Sequence, residues 1–282
     1  MTQTAADIIL LRGLIRSRFH WDQFPQQLQQ AFPQHRILMP ELAGNGERFQ
    51  ENTPSSIHAM MLDVRQQVAL DQSQQAQIQE IQPAQKTQTA KIAEKAAAGT
   101  KPPAIIIAMS MGAMMATEWA THYPKEVQQL HLINTSAGRF SLPWQRMQTR
   151  AFFSLLPSIA NQQRLEKKII DWTINVQKDA QLTQRWQDFS QQHPLSLRNA
   201  VTQLLAASRY RGQPHAPIDH CYFYHSQGDR LVNPNCTAAI AQHWNKPLER
   251  HGFAGHDLSM DDSAWLINKL KENIFSQSEV FS

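Results

Sequence analysis

Ala104–Thr117 reads AIIIAMSMGAMMAT, and its two halves follow different rules. Ile105, Ile106 and Ile107 form a short β-branched run after Pro102 and Pro103, as expected of a strand buried on both faces. From Gly112 the residues are small or helix-forming, so a strand hands over to a helix at Ser110. A tight strand-to-helix turn lifts a serine hydroxyl above the sheet edge. The next N–H, that of Met111, then points from a helix N-terminus at any oxyanion formed there. Such a turn needs small residues two places either side of the serine, and Ala108 and Gly112 occupy those places.

The chain around this stretch alternates strands and helices. Asp7–Leu11 is a second buried-strand run, followed at once by Arg12-Gly13-Leu14. Trp21–Ala31 predicts a helix, Arg36–Met39 a short strand, and PELAGNGER (40–48) a loop broken by Gly44 and Gly46. Thr53-Pro54-Ser55 starts a helix in which Ile57, Met60, Met61, Val64 and Val68 recur at helical spacing. Residues 71–100 are rich in glutamine and poor in core residues, and read as an inserted, solvated excursion with a surface helix and a flexible Ala-rich link. Beyond the elbow helix, which ends near Tyr123-Pro124, Leu130–Ile133 is a strand. Phe140–Tyr210 has no strand candidate and many large apolar groups in helical segments, which predicts a helical lid rising from the sheet. The alternation resumes with strand His220–Ser226, helix Asn235–Trp244, strand Leu248–Gly252 and a closing helix Asp262–Phe275. This order implies an α/β fold with a mostly parallel sheet flanked by helices. Residues 1–136 and 213–282 would form the core, and 137–212 a helical cap.

Composition narrows the function classes. The 282 residues carry a net charge of +4, with basic residues scattered and no nucleic-acid motif, so nucleic acid is not an expected partner. No apolar run reaches membrane-spanning length, and the N-terminus lacks the features of a signal peptide. Cys221 and Cys236 are too few for a disulfide framework and lack metal spacing. A cytoplasmic protein with reduced thiols is the expectation; protein partners are not indicated.

A serine nucleophile needs a base to take its proton and a carboxylate to orient that base. In an open α/β sheet both belong in loops beyond the strands' carboxyl ends. Asp229 follows strand His220–Ser226, and His256 follows strand Leu248–Gly252. His251 lies at or inside its strand, and the loop after Ile133 holds no carboxylate. His220 and His225 fall on opposite strand faces, which disfavours a metal pair. The triad Ser110, Asp229, His256 follows, in the order expected of this architecture, and it calls for no metal and no cofactor.

IIIAMSMG (105–112), HYPKEVQQLHLINTS (122–136), SQGDRLVNP (226–234) and FAGHDLSMDD (253–262) together resemble the α/β-hydrolase superfamily with a helical cap, over about Asp7–Ile274. The resemblance implies a serine esterase acting on a small, partly apolar ester, with Leu14 as the second oxyanion-hole donor beside Met111. PELAGNGER resembles a further loop of that family. The family's leading antiparallel hairpin looks absent. Arg12 stands where histidine is common, and is read as a salt bridge below the loop or, less readily, as a cation facing an anionic substrate. Within the cap, Trp144, Phe152 and Phe153 are candidate pocket residues. The same triad also serves carbon–carbon bond hydrolases and lyases, and the fold also serves ligand binders without catalysis.

Overall fold

A computed structural model describes residues 5–81, 102–159 and 161–275. The expected Ala-rich link of the glutamine-rich segment lies mostly outside these residues.

Six strands form one sheet: β1 Ile8–Leu11, β2 Ile37–Leu38, β3 Ala104–Met109, β4 Val127–Ile133, β5 Cys221–Ser226 and β6 Leu248–His251. Their spatial order is β2-β1-β3-β4-β5-β6, and every pairing is parallel. Ile8 sits opposite Ile37 on one side and Ile105 on the other. After β1 the chain builds outward to β2, then returns to the other side of β1 for β3. The topological switch therefore lies between β1 and β3, where open parallel sheets place their ligands.

Alternation along the strands feeds two cores. Ile9, Leu11, Ile106, Ala108, Leu130, Leu132 and Phe223 face one side. There they meet α2 (Ile57–Ile81), α3 (Met111–His122) and α9 (Asn235–Trp244) through Met60, Val64, Met115, Trp119, Ile240 and Trp244. Ile8, Leu10, Ile105, Ile107, Ile133 and Tyr224 face the other side. They pack on Phe24 and Leu28 of α1 (Phe24–Ala31) and on Leu266, Leu270 and Ile274 of the closing helix α10 (Ser263–Phe275).

Two helices differ from the sequence expectation. Trp21 ends a 3-10 turn, Arg18–Trp21, and α1 starts only at Phe24, where Pro25 occupies a first-turn position that needs no N–H. In the other, α2 runs on through residues 71–81 of the glutamine-rich segment, since glutamine is a good helix former.

Between β4 and β5 the regular elements among the described residues are helices: α4 Pro143–Arg146, α5 Thr149–Leu155, α6 Gln162–Thr173, α7 Ala180–Gln192 and α8 Leu197–Arg209. Asn161, Asp179 and Ser196 cap α6, α7 and α8 with side-chain oxygens. Ile170, Ile174, Leu182 and Trp186 give this block a core of its own.

Candidate active site

Ser110 occupies the junction of β3 and α3 with φ +57°, a left-handed backbone that a non-glycine residue adopts only when its surroundings enforce it. Its N–H donates to the Ile133 carbonyl at 2.8 Å, and the Thr135 hydroxyl donates to its carbonyl at 3.0 Å. A Cβ on Gly112 would lie 2.4 Å from the Leu11 carbonyl oxygen and 2.5 Å from that of Arg12. Gly112 is therefore what lets α3 start against the loop after β1. That loop also abuts the serine: a Cβ on Gly13 would come within 2.9 Å of the Ser110 Cβ.

His256 and Asp229 come together although 27 residues separate them: His256 Nδ1 lies 2.7 Å from Asp229 Oδ2. The other Asp229 oxygen accepts the N–H groups of Leu231 and Val232, each at 2.9 Å. Both side chains are buried, and with the carboxylate held at both oxygens the ring has one orientation. Asn134, which carried no signal in the sequence, fixes the backbone beneath. Its amide donates to the His256 carbonyl (2.8 Å) and the Ser226 hydroxyl (3.0 Å), and its oxygen accepts the Ser226 N–H (2.9 Å). The ends of β4 and β5 and the histidine loop are thus joined at one side chain.

Arg12 forms the salt bridge expected of it. Its guanidinium donates to both oxygens of Asp257, at 3.2 and 2.6 Å, and stacks 4.6 Å from the centroid of Trp21. Burial alone would raise the Asp257 carboxyl, but the Arg12 charge and hydrogen bonds, with the Ser259 hydroxyl, outweigh it and hold the group below the ordinary carboxylate range. This pair ties the loop after β1 to the loop bearing His256. His251 has a structural role: its Nε2 lies 3.1 Å from Asp262, and its Nδ1 accepts the Ala254 N–H.

Ser110 and His256 line one cleft of about 540 Å³ with Leu14, Met147, Leu155 and Trp172. No hydrogen bond joins the two side chains. Among the described residues the N–H groups of Leu14 and Met111 have no protein acceptor. A second, apolar cleft of about 650 Å³ shares Leu14, Ile15, Met147 and Leu155 with the first, and Phe152 lines it. Trp144 and Phe153 line neither: they are 59% and 66% exposed on the outer side of the helical block. Aromatic character marked them in the sequence, but which helix face turns inward is decided by packing. Met147, Leu155, Trp172 and Leu231 take the positions along the cleft instead.

A sequence model of the alpha/beta hydrolase family matches residues 8–268. The chain belongs to that family. Solved structures of the same fold include a thermophilic esterase from Thermogutta terrifontis, with 16% identity, TM-score 0.63 and coverage of 98% of this chain and 91% of that one. A hydrolase from Oleispira antarctica is 15% identical, with TM-score 0.65 and coverage of 95% and 91%. The 2-hydroxy-6-oxo-6-phenylhexa-2,4-dienoate hydrolase of Rhodococcus sp. strain RHA1 is 14% identical, with TM-score 0.67 and coverage of 96% and 90%. No curated protein matches the chain. Like the parallel sheet, these likenesses describe an alpha/beta hydrolase. No helix among the described residues is long and apolar enough to cross a membrane.

Proposed function

We propose that the protein is a serine hydrolase that cleaves a carboxylic ester of a small, partly apolar substrate. The observation that carries this reading is the pairing of a strained, cleft-lining Ser110 with a cleft-lining His256 whose far nitrogen is held 2.7 Å from Asp229. His256 takes the Ser110 proton as the serine oxygen attacks the ester carbonyl. The Leu14 and Met111 N–H groups receive the negative charge on the carbonyl oxygen. The tetrahedral adduct collapses, the leaving alcohol takes the proton from His256, and an acyl-serine remains. A water molecule then gives a proton to His256 as it attacks the acyl carbon; the new tetrahedral adduct collapses, the departing serine oxygen takes that proton back from His256, and the acid is released. Asp229 fixes the tautomer of His256 and favours the imidazolium.

In this reading residues 137–212 act as a cap, and the apolar cleft beyond Leu14 and Met147 takes the alkyl or aryl portion. A cytoplasmic setting accords with the free, buried Cys221 and Cys236. Burial pushes the Cys221 thiol up to about 12, so it resists oxidation.

The test is labelling with a fluorophosphonate probe, followed by a panel of short- and medium-chain nitrophenyl esters. Wild type is expected to label and turn over the esters, and Ser110→Ala to do neither. Absence of labelling in the wild type, or labelling that survives in Ser110→Ala, overturns the assignment. Labelling without ester turnover moves the chemistry to carbon–carbon cleavage.

A further inference from the structure

Glu118 is a buried carboxylate on α3, about two helical turns beyond Ser110. One of its oxygens accepts the Gln213 amide at 2.8 Å. The other faces two imidazoles: His58 Nδ1, from the first turn of α2, at 3.4 Å, and His122 Nδ1, one helical turn further along α3, at 3.6 Å. The two rings lie 4.4 Å apart. Among the described residues these histidines are the basic groups that face this carboxylate.

Charge makes the arrangement incomplete. With both imidazoles neutral, the buried anion has no counter-charge. With both protonated, two cations sit in ring contact. A divalent cation held by both neutral imidazoles supplies the counter-charge without protonating either ring. One ligand atom from each of the three residues falls within 4.8 Å of the others. Donors around a tetrahedral zinc ion, at about 2.0–2.1 Å from it, stand roughly 3.3–3.4 Å apart. The two histidines are partly exposed, and closing that difference takes a small rotation of their rings toward Glu118, which Gln213 holds. The His122 Nδ1 also lies 3.0 Å from the Glu118 backbone carbonyl. Binding through Nδ1, the atom that faces the Glu118 carboxylate, replaces this contact.

We propose that His58, Glu118 and His122 form a binding site for a first-row divalent transition ion, Zn²⁺ in the first instance, with water in the fourth position. The ion pins the start of α2 to the last turns of α3. Two nitrogens and one carboxylate oxygen select against Mg²⁺ and Ca²⁺, which prefer all-oxygen shells. This site stands apart from the proposed chemistry at Ser110.

The test uses the full chain freed of metal by chelation. Zn²⁺ titration by calorimetry is expected to show one equivalent bound with micromolar or tighter affinity. Co²⁺ is expected to give the visible absorption of a four-coordinate ion, and saturating Zn²⁺ to raise Tm by about 5 °C. His58→Ala, His122→Ala and Glu118→Gln should each weaken Zn²⁺ binding by at least roughly 10-fold. The two histidines are partly exposed, so the metal-free Tm of their variants should match wild type, separating a lost ligand from a lost fold. Absence of stoichiometric binding in wild type overturns the proposal, as does binding or Co²⁺ absorption that persists in both histidine variants.

Discussion

Arg12 and Asp257 show what a single pair of side chains is worth at this site. Both are buried, and neither has a second partner of opposite charge within ion-pair distance among the described residues. Arg12→Leu leaves the Asp257 carboxylate charged in a dry interior and should cost about 3–5 kcal/mol of stability. Arg12→Leu combined with Asp257→Leu should recover much of that loss, and urea unfolding of the single and double variants measures the difference. Asn134 acts on position rather than charge. Asn134→Ala removes the hydrogen bond to the His256 carbonyl and the two to Ser226 that tie the histidine loop to the end of β5; on the proposed function it is expected to lower kcat by roughly 10- to 100-fold with KM little changed, read in ester kinetics.

At the scale of elements, β4 carries a titration. His131 lies fully buried within it, its Nδ1 2.8 Å from the Tyr224 hydroxyl and its Nε2 3.1 Å from the Gln129 side chain. Burial pushes the imidazole down from its ordinary 6.5 to about 3. The unfolded chain therefore binds a proton that the folded one refuses. The associated stability is complete above pH 6.5 and is lost as pH falls toward 3, at up to about 1.4 kcal/mol per pH unit. Denaturant unfolding between those limits should show this slope in wild type and a shallower one in His131→Gln. The same strand shows where sequence reading stops. Leu130–Ile133 was legible as an apolar run, but the strand begins at Val127, because β3 supplies a ladder that Gln128 and Gln129 do not advertise. Ser110, Asp229 and His256 were placeable because each sits just past a strand, where parallel topology fixes the direction of exit. Leu155 and Trp172 line the cleft from helices whose inward face depends on packing against loops far away in sequence, and no local pattern records it. Arg12 was readable as a salt bridge, but not its partner, 245 residues on.

Across the whole molecule, the helical block and the sheet meet at the loop after β1. The Ile15 N–H donates to Gln203 of α8 at 2.8 Å, and Arg16 pairs with Glu166 of α6 at 2.6 Å. Leu14 and Ile15 of the same loop line both the Ser110 cleft and the apolar one, so an acyl chain growing past Leu14 gains buried surface with each carbon. On the proposed function, kcat/KM should rise about fourfold per methylene along a linear ester series until the second cleft is full, and a flat series would remove that cleft from the substrate path. The sheet's order has a last consequence, which concerns synthesis. β1 waits for a neighbour 97 positions later in the chain, since Ile8 pairs with Ile105, and long-range parallel pairing of this kind is slow. Ser110 emerges from the ribosome well before Asp229 and His256. On the proposed function, an unfinished chain displays the nucleophile without the base that arms it, and hydrolysis waits until the final quarter of the polypeptide has been made.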